Sequence, residues 1–156
     1  MKIIEIQARK KDYLDLLLLG DEQENMVERY LDAGTMFVLD DDGVKCVCVV
    51  TDAGDGVLEI KNIATVTAYQ RRGYARAMIE FIVDRYQGEY AILQVGTGDS
   101  PATVPFYERC GFTRSHVVAE FFLQNYDHPI YEAGVRLVDM VYLRRSLVAR
   151  NRGRLS

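Results

Sequence analysis

Apolar residues recur along this chain in two rhythms, every second position and every third or fourth, and the switches between them mark out its elements. Lys2–Ile6 reads as a short strand and Asp12–Leu19 as a first helix. Asp21 and Glu24 are spaced as a capping box. Met26, Val27, Tyr30 and Leu31 then follow at helical spacing until Gly34 stops the helix. Met36–Leu39 and Val44–Thr51 read as strands around an Asp-Asp-Asp-Gly turn, and Asp52–Gly56 as a second turn. Val57–Val66 is the next strand, and its alternation breaks. Leu58 and Ile60 share one face, and the apolar position then shifts to Ile63. Such a phase break near Asn62 predicts a β-bulge or splay, which leaves backbone groups free for a ligand.

The clearest helix follows Gly73. Ala75, Met78, Ile79, Ile82 and Tyr86 make one apolar stripe, Arg76, Glu80 and Asp84 face out, and Gly88 ends it. Tyr90–Val95 is nearly all apolar, as in a strand buried on both faces. Gly96–Asp99 reads as a loop. Ser100-Pro101 resembles a helix start, but Pro105 requires either a kink or a true start near Val104. Gly111 ends that helix, Phe112–Glu120 reads as a strand, Phe121–Gly134 as an aromatic-rich connector, and Val135–Leu143 as a last strand.

Composition narrows the class. The chain has 156 residues, 49% of them hydrophobic, so one domain with a real core is expected over 1–156. No apolar run reaches the roughly 20 residues of a membrane span, and the N-terminus lacks a signal-peptide pattern. The cysteines Cys46, Cys48 and Cys110 form no metal-ligand pattern, so no metal is expected and a reducing, cytoplasmic setting is. Net charge is −4 but uneven. Five of the 19 basic residues lie between Arg144 and Ser156, a basic tail read as a solvated end. The remaining 14 face 23 acids, a balance of −9 for the body. That excess suits cationic amines and argues against nucleic acid.

Gln70-Arg71-Arg72-Gly73-Tyr74-Ala75 carries the most chemistry. A turn here offers backbone N–H groups at a helix N-terminus, where the helix dipole also favours an anion. Gly73 permits close backbone approach, and Ala75 keeps a second position small. The pattern predicts a pyrophosphate cradle.

Asn62-Ile63-Ala64, the Gln-x-x-Gly-x-Ala run, and Phe106-Tyr107-Glu108-Arg109-Cys110-Gly111-Phe112 about thirty residues later together resemble the GNAT superfamily of acetyl-CoA-dependent N-acetyltransferases. The resemblance is close over roughly 44–120. The segment Tyr126–Glu132 is also similar to one in bacterial members of that superfamily. It implies a single α/β (α+β) domain with a mixed, mostly antiparallel sheet of six or seven strands, flanked by helices, with a bulged central strand and a splay. It implies acetyl-CoA as cosubstrate, with pantetheine paired to the backbone of Ile63, Ala64 and Thr65. The pyrophosphate would lie among the N–H groups of Arg71, Arg72, Gly73, Tyr74, Ala75 and Arg76, and Ser100 stands where many members place a cofactor-contacting Asn. The chain departs from the family pattern in three places. Thr65 stands for a usual Val, Val66-Thr67 for a polar-Pro pair, and Ala75 for the second glycine.

By the same resemblance Tyr107 is the acid that protonates the CoA thiolate, and Glu59, eleven residues before Gln70, is the candidate base. His128 and Glu132 are candidate substrate contacts. The implied reaction is acetyl transfer to a primary amine by direct attack in a ternary complex, with a small-molecule acceptor preferred. Acetylation of a protein N-terminus or lysine is the alternative, and a non-catalytic acyl-CoA-binding module a second one. No membrane partner is expected, and the connector Phe121–Tyr131 is suited either to a homodimer contact or to capping the amine site.

Overall fold

The computed structural model describes residues 1–148. Seven strands make one sheet in the order β1 (Lys2–Ile6), β2 (Thr35–Asp40), β3 (Val44–Gly54), β4 (Val57–Thr65), β5 (Ile92–Gly98), β9 (Met140–Ser146) and β6 (Thr113–Val118). Every neighbouring pair is antiparallel except β4 and β5, which run parallel. The helices are α1 (Leu14–Gly20), α2 (Glu24–Leu31), α3 (Tyr74–Tyr86), α4 (Val104–Arg109) and α5 (Phe121–Asn125). A two-stranded ribbon, β7 (Tyr131–Glu132) with β8 (Val135–Arg136), completes the connector.

Alternation along the strands sorts the core into two layers. Phe37, Leu39, Cys46, Cys48, Val50, Leu58 and Ile60 face α3 and α4. Met36, Val38, Val47, Val49 and Ala64 face α1 and α2. The α3 stripe is the main contributor on its side: Met78, Ile79 and Ile82 are fully buried, each adding about 2 kcal/mol of apolar burial. A third, small cluster of Phe122, Ile130 and Leu137 lies under the connector.

The phase break in β4 is a bulge at Lys61. Asn62 pairs with Val49 and Ile60 with Val50, so Lys61 has no partner of its own on β3. The bulge swings Asn62 and Ala64 toward α1 and α2 while Leu58 and Ile60 stay on the α3 side.

Several boundaries differ from the sequence pattern. Gly96–Gly98 continues β5 because β9 supplies partners as far as Gly98. The last predicted strand is interrupted at 137–139, so Val135–Arg136 folds back on Tyr131–Glu132 and a separate strand starts at Met140. α4 begins at Val104 with Pro105 inside its first turn, where the missing N–H costs no helical bond. The capping box does not form. Gln23 caps α2 without a side-chain bond, and Asp21 is claimed by two tyrosines instead. Arg144 and Arg145, read as the start of a solvated tail, are built into β9. They donate to Gln94 Oε1 (2.8 Å) and to Glu80 Oε1 (2.9 Å). The rest of that tail, 149–156, lies outside the described residues. No helix of the described chain is long and apolar enough to cross a membrane.

Candidate active site

β4 and β5 pair only from Val57–Ile60 to Ile92–Val95 and then part, which opens the sheet between its two faces. Past the bulge, Ile63, Ala64 and Thr65 bond to β3 along one edge. Their other edge borders the opening. The side chain of Gln70 donates to the Thr65 carbonyl (3.3 Å) and ties the following turn back to the strand.

That turn is built for close approach. Arg71 and Gly73 both take left-handed backbone, at φ 64° and 86°. Gly73 caps α3 with no side-chain bond, so the N–H groups of the first helical turn stay free. A Cβ at Gly73 would meet nothing within 4 Å. The space at Gly73 is therefore open, and Arg71, Arg72 and Arg76 nearby in sequence are all exposed. The Tyr74 hydroxyl donates to Asp41 (2.7 Å), which leaves its backbone as the part directed to the turn. Ser100 sits on the turn that leads into α4. It is 2% exposed, and its hydroxyl accepts the Ala102 N–H.

Tyr107 sits on α4, packed edge-on between Phe106 and Phe112. Burial pushes its phenol well above the ordinary range, reinforced by Cys48, Glu132, Cys110 and Cys46. The thiols in the same core respond alike: burial raises Cys46 to about 11, and Cys48 and Cys110 also rise.

Glu59 lies on the opposite face, with both oxygens engaged. Gln94 donates to one (2.7 Å) and the Lys61 ammonium to the other (3.1 Å). Gln94 in turn accepts from Arg144. Lys61 reaches back over Glu59 because the bulge turns it out of the ladder.

The connector is clasped to the loop between α1 and α2. Tyr126 donates to Asp21 (2.7 Å), the Asp127 N–H donates to Gln23 (3.2 Å), and His128 Nε2 lies 3.6 Å from Glu22. Tyr30 also donates to Asp21, and its hydroxyl accepts from Asn62 at the bulge. A polar chain therefore runs from connector to β4. Burial pushes the Asp21 carboxyl up, against the phenol hydrogen bonds that favour its charge. Sequence pattern reads Asp21 and Tyr30 only as a cap and as part of a helical stripe, and gives Tyr126 and Gln94 no polar role. Their partners lie up to 105 positions away, and no local spacing signals them.

His128 makes the clasp pH-sensitive. The Asp127 carboxylate 2.6 Å from Nδ1 raises the ring above its ordinary value. A raised folded-state value means that the contribution is full below about pH 6.5 and is lost as pH rises through the folded value. Amide exchange of 126–132, corrected for intrinsic rates, is expected to show more protection at pH 6 than at pH 8. His128→Gln should remove the difference. The effect is modest, because the ring is exposed.

A parted parallel strand pair, a bulge that frees a backbone edge, and a helix N-terminus with free N–H groups are the features expected of a transferase that uses a CoA thioester. Comparison with known proteins agrees. The profile of the acetyltransferase (GNAT) domain matches residues 32–114. YvbK of Bacillus subtilis (strain 168), described as an uncharacterized N-acetyltransferase, is 31% identical over 144 residues, covering 90% of this chain and 93% of its own. A GNAT family acetyltransferase from Elizabethkingia anophelis, solved with acetyl-CoA bound, superposes with a TM-score of 0.88 at 27% identity, over 93% of this chain and 97% of that one. A Bacillus subtilis acetyltransferase in complex with CoA gives 0.86 at 28% identity, over 94% and 99%. The chain belongs to the GNAT acetyltransferase family. It is an N-acetyltransferase, with acetyl-CoA as its cosubstrate.

Proposed function

We propose that this protein transfers the acetyl group of acetyl-CoA to a primary amine on a small cationic molecule, by direct attack within a ternary complex. The observation that carries this reading is the clasped connector. Tyr126, Asp127 and His128 tie it to Asp21, Gln23 and Glu22, and in this reading it closes one side of the acceptor face and lines it with carboxylates. A closed, acidic entrance favours a compact cation over an extended peptide.

In this reading the free backbone edge of Ile63, Ala64 and Thr65 pairs with pantetheine. The N–H groups from Arg71 to Arg76 hold the pyrophosphate, and the open space at Gly73 supports that placement. Ser100, whose hydroxyl also accepts the Ala102 N–H at the turn into α4, stands on the cofactor side. Tyr107 donates its proton to the departing CoA thiolate. His128 and Glu132 border the acceptor. Direct attack is favoured over an acyl-cysteine because all three cysteines are buried and their thiols are raised, which leaves little thiolate. Three unpaired core thiols also fit a cytoplasmic setting.

Thiol release from acetyl-CoA across matched panels of small amines and peptides tests the reading. Turnover with small diamines and amino alcohols, and none with peptides, is the expected result. Preference for peptides would move the acceptor to protein. Tight acetyl-CoA binding without turnover on either panel would make the protein a binding module.

A further inference from the structure

We propose that Glu132, rather than Glu59, takes the proton from the incoming amine. The proposal rests on the amine-acetylating reading above and assigns a step within it.

Position comes first. β5 places Gln94, Gly96 and Gly98 on the same face as Glu59. Leu137 lies against Gly98 so closely that a Cβ there would strike it at 2.5 Å. Leu137 also donates its N–H to the Ile130 carbonyl (2.8 Å), just before β7. The ribbon is thus pinned over the end of β5, where β4 and β5 have parted. Within β7 the side chains alternate. Tyr131 is 59% exposed, while Glu132 turns inward and is half-buried.

The groups around it define its role. Glu22, on the loop between α1 and α2, lies near enough for its charge to raise the Glu132 carboxyl, after burial itself. Glu132 in turn raises the Tyr107 phenol on α4. Its charge is therefore felt from the loop between α1 and α2 and at the α4 phenol, on a ribbon that Leu137 seats at the end of β5. His128 is occupied by Asp127 and Glu22, and Arg136 on β8 pairs in register with Tyr131 and is exposed. Among the described residues Glu132 has no hydrogen-bond or ion-pair partner.

Glu59 differs in that respect. Protonating it would forfeit the Lys61 ion pair and disturb the Gln94 bond. Protonating Glu132 forfeits no partner and relieves repulsion from Glu22. A base works best when its affinity for the proton approaches neutrality, and both burial and Glu22 move Glu132 that way.

The step balances as follows. The ammonium gives one proton to Glu132, and the freed lone pair attacks the thioester carbonyl carbon. The C–S bond breaks, the Tyr107 hydroxyl protonates the CoA thiolate, and the tyrosinate recovers a proton from the acetylated nitrogen. Glu132 then releases its proton to water, so one ammonium and one acetyl-CoA give one amide, one CoA thiol and one proton.

The experiment is the pH profile of kcat/KM for the full chain, its Glu132→Gln and Glu132→Asp variants, and Glu59→Gln, with the best amine of the panel. E132Q is expected to lose about 100-fold at pH 7, with unchanged acetyl-CoA affinity. The deficit should shrink toward pH 10, where an alkylamine loses its proton unaided. E132D should keep the acid limb at a reduced rate, which also guards against a misfolded E132Q. E59Q should keep that limb. A deficit constant with pH, or an acid limb lost in E59Q and kept in E132Q, overturns the proposal alone. Absence of turnover in the unaltered protein overturns the amine reading and this proposal together.

Discussion

Gly73→Glu is expected to lower acetyl-CoA affinity by about three orders of magnitude while the protein stays folded. Two separate terms support this. Gly73 holds φ at 86°, so any side chain there carries the left-handed backbone cost of about 1–2 kcal/mol. That cost is offset in part, since a carboxylate at the start of α3 interacts well with the helix dipole. The fold therefore survives. The space beyond Gly73 is empty, so the new side chain enters it without a clash and lies where an anion would sit. Two like charges about 4 Å apart near a protein surface repel by about 4 kcal/mol, which is the factor of a thousand. Gly73→Ala is the control, because it carries the backbone cost without the charge. Calorimetric titration with acetyl-CoA checks both variants, and near-native affinity in Gly73→Glu would place the cofactor elsewhere.

The left-handed turn at Gly73 and the bulge were legible in sequence because each is local. A left-handed glycine before an amphipathic helix, and a two-residue alternation that slips a phase, are written in consecutive residues. The two core layers follow from the same alternation, down to Cys46 and Cys48 sharing a face. What sequence hid depends on distant partners. Asp21 and Glu24 carry the spacing of a capping box, yet Tyr30 and Tyr126 draw Asp21 out of it, because two phenol donors outweigh one frayed N–H. Gly96–Gly98 has the composition of a loop, and only the pairing with β9 makes it strand. Glu59 has the spacing of a base, but whether its oxygens are free depends on Lys61 and Gln94, the second of them 35 residues away.

The connector meets the loop between α1 and α2 through polar groups and rests on a small apolar cluster of its own. Phe122, Ile130 and Leu137 fix the ribbon over β5, and the Tyr126–Asp21 bond fixes its other end. The connector is thereby held by the same Asp21–Tyr30–Asn62 chain that reaches the bulge in β4. Connector and bulged strand are thus joined through one asparagine, Asn62.

Tyr107→Phe is expected to lower kcat by about 100-fold or more, the usual contribution of a positioned acid, with little loss of acetyl-CoA affinity. The ring is what packs against Phe106 and Phe112, at centroid distances of 5.2 and 5.7 Å, and Phe preserves both contacts. Stability should change by no more than about 1 kcal/mol, since the substitution removes one hydroxyl without opening a cavity. The pH dependence separates chemistry from packing. With its folded-state value raised, Tyr107 keeps its proton past the ordinary phenol value of about 10. The acid form that donates to the thiolate is therefore lost only as pH rises through that higher value. Wild-type kcat should hold its plateau to about pH 10, while the variant stays low across the whole range. A variant rate equal to wild type would remove Tyr107 as the acid and leave the departing thiolate to be protonated by solvent. A rate lowered together with acetyl-CoA affinity would instead make the residue part of the cofactor wall.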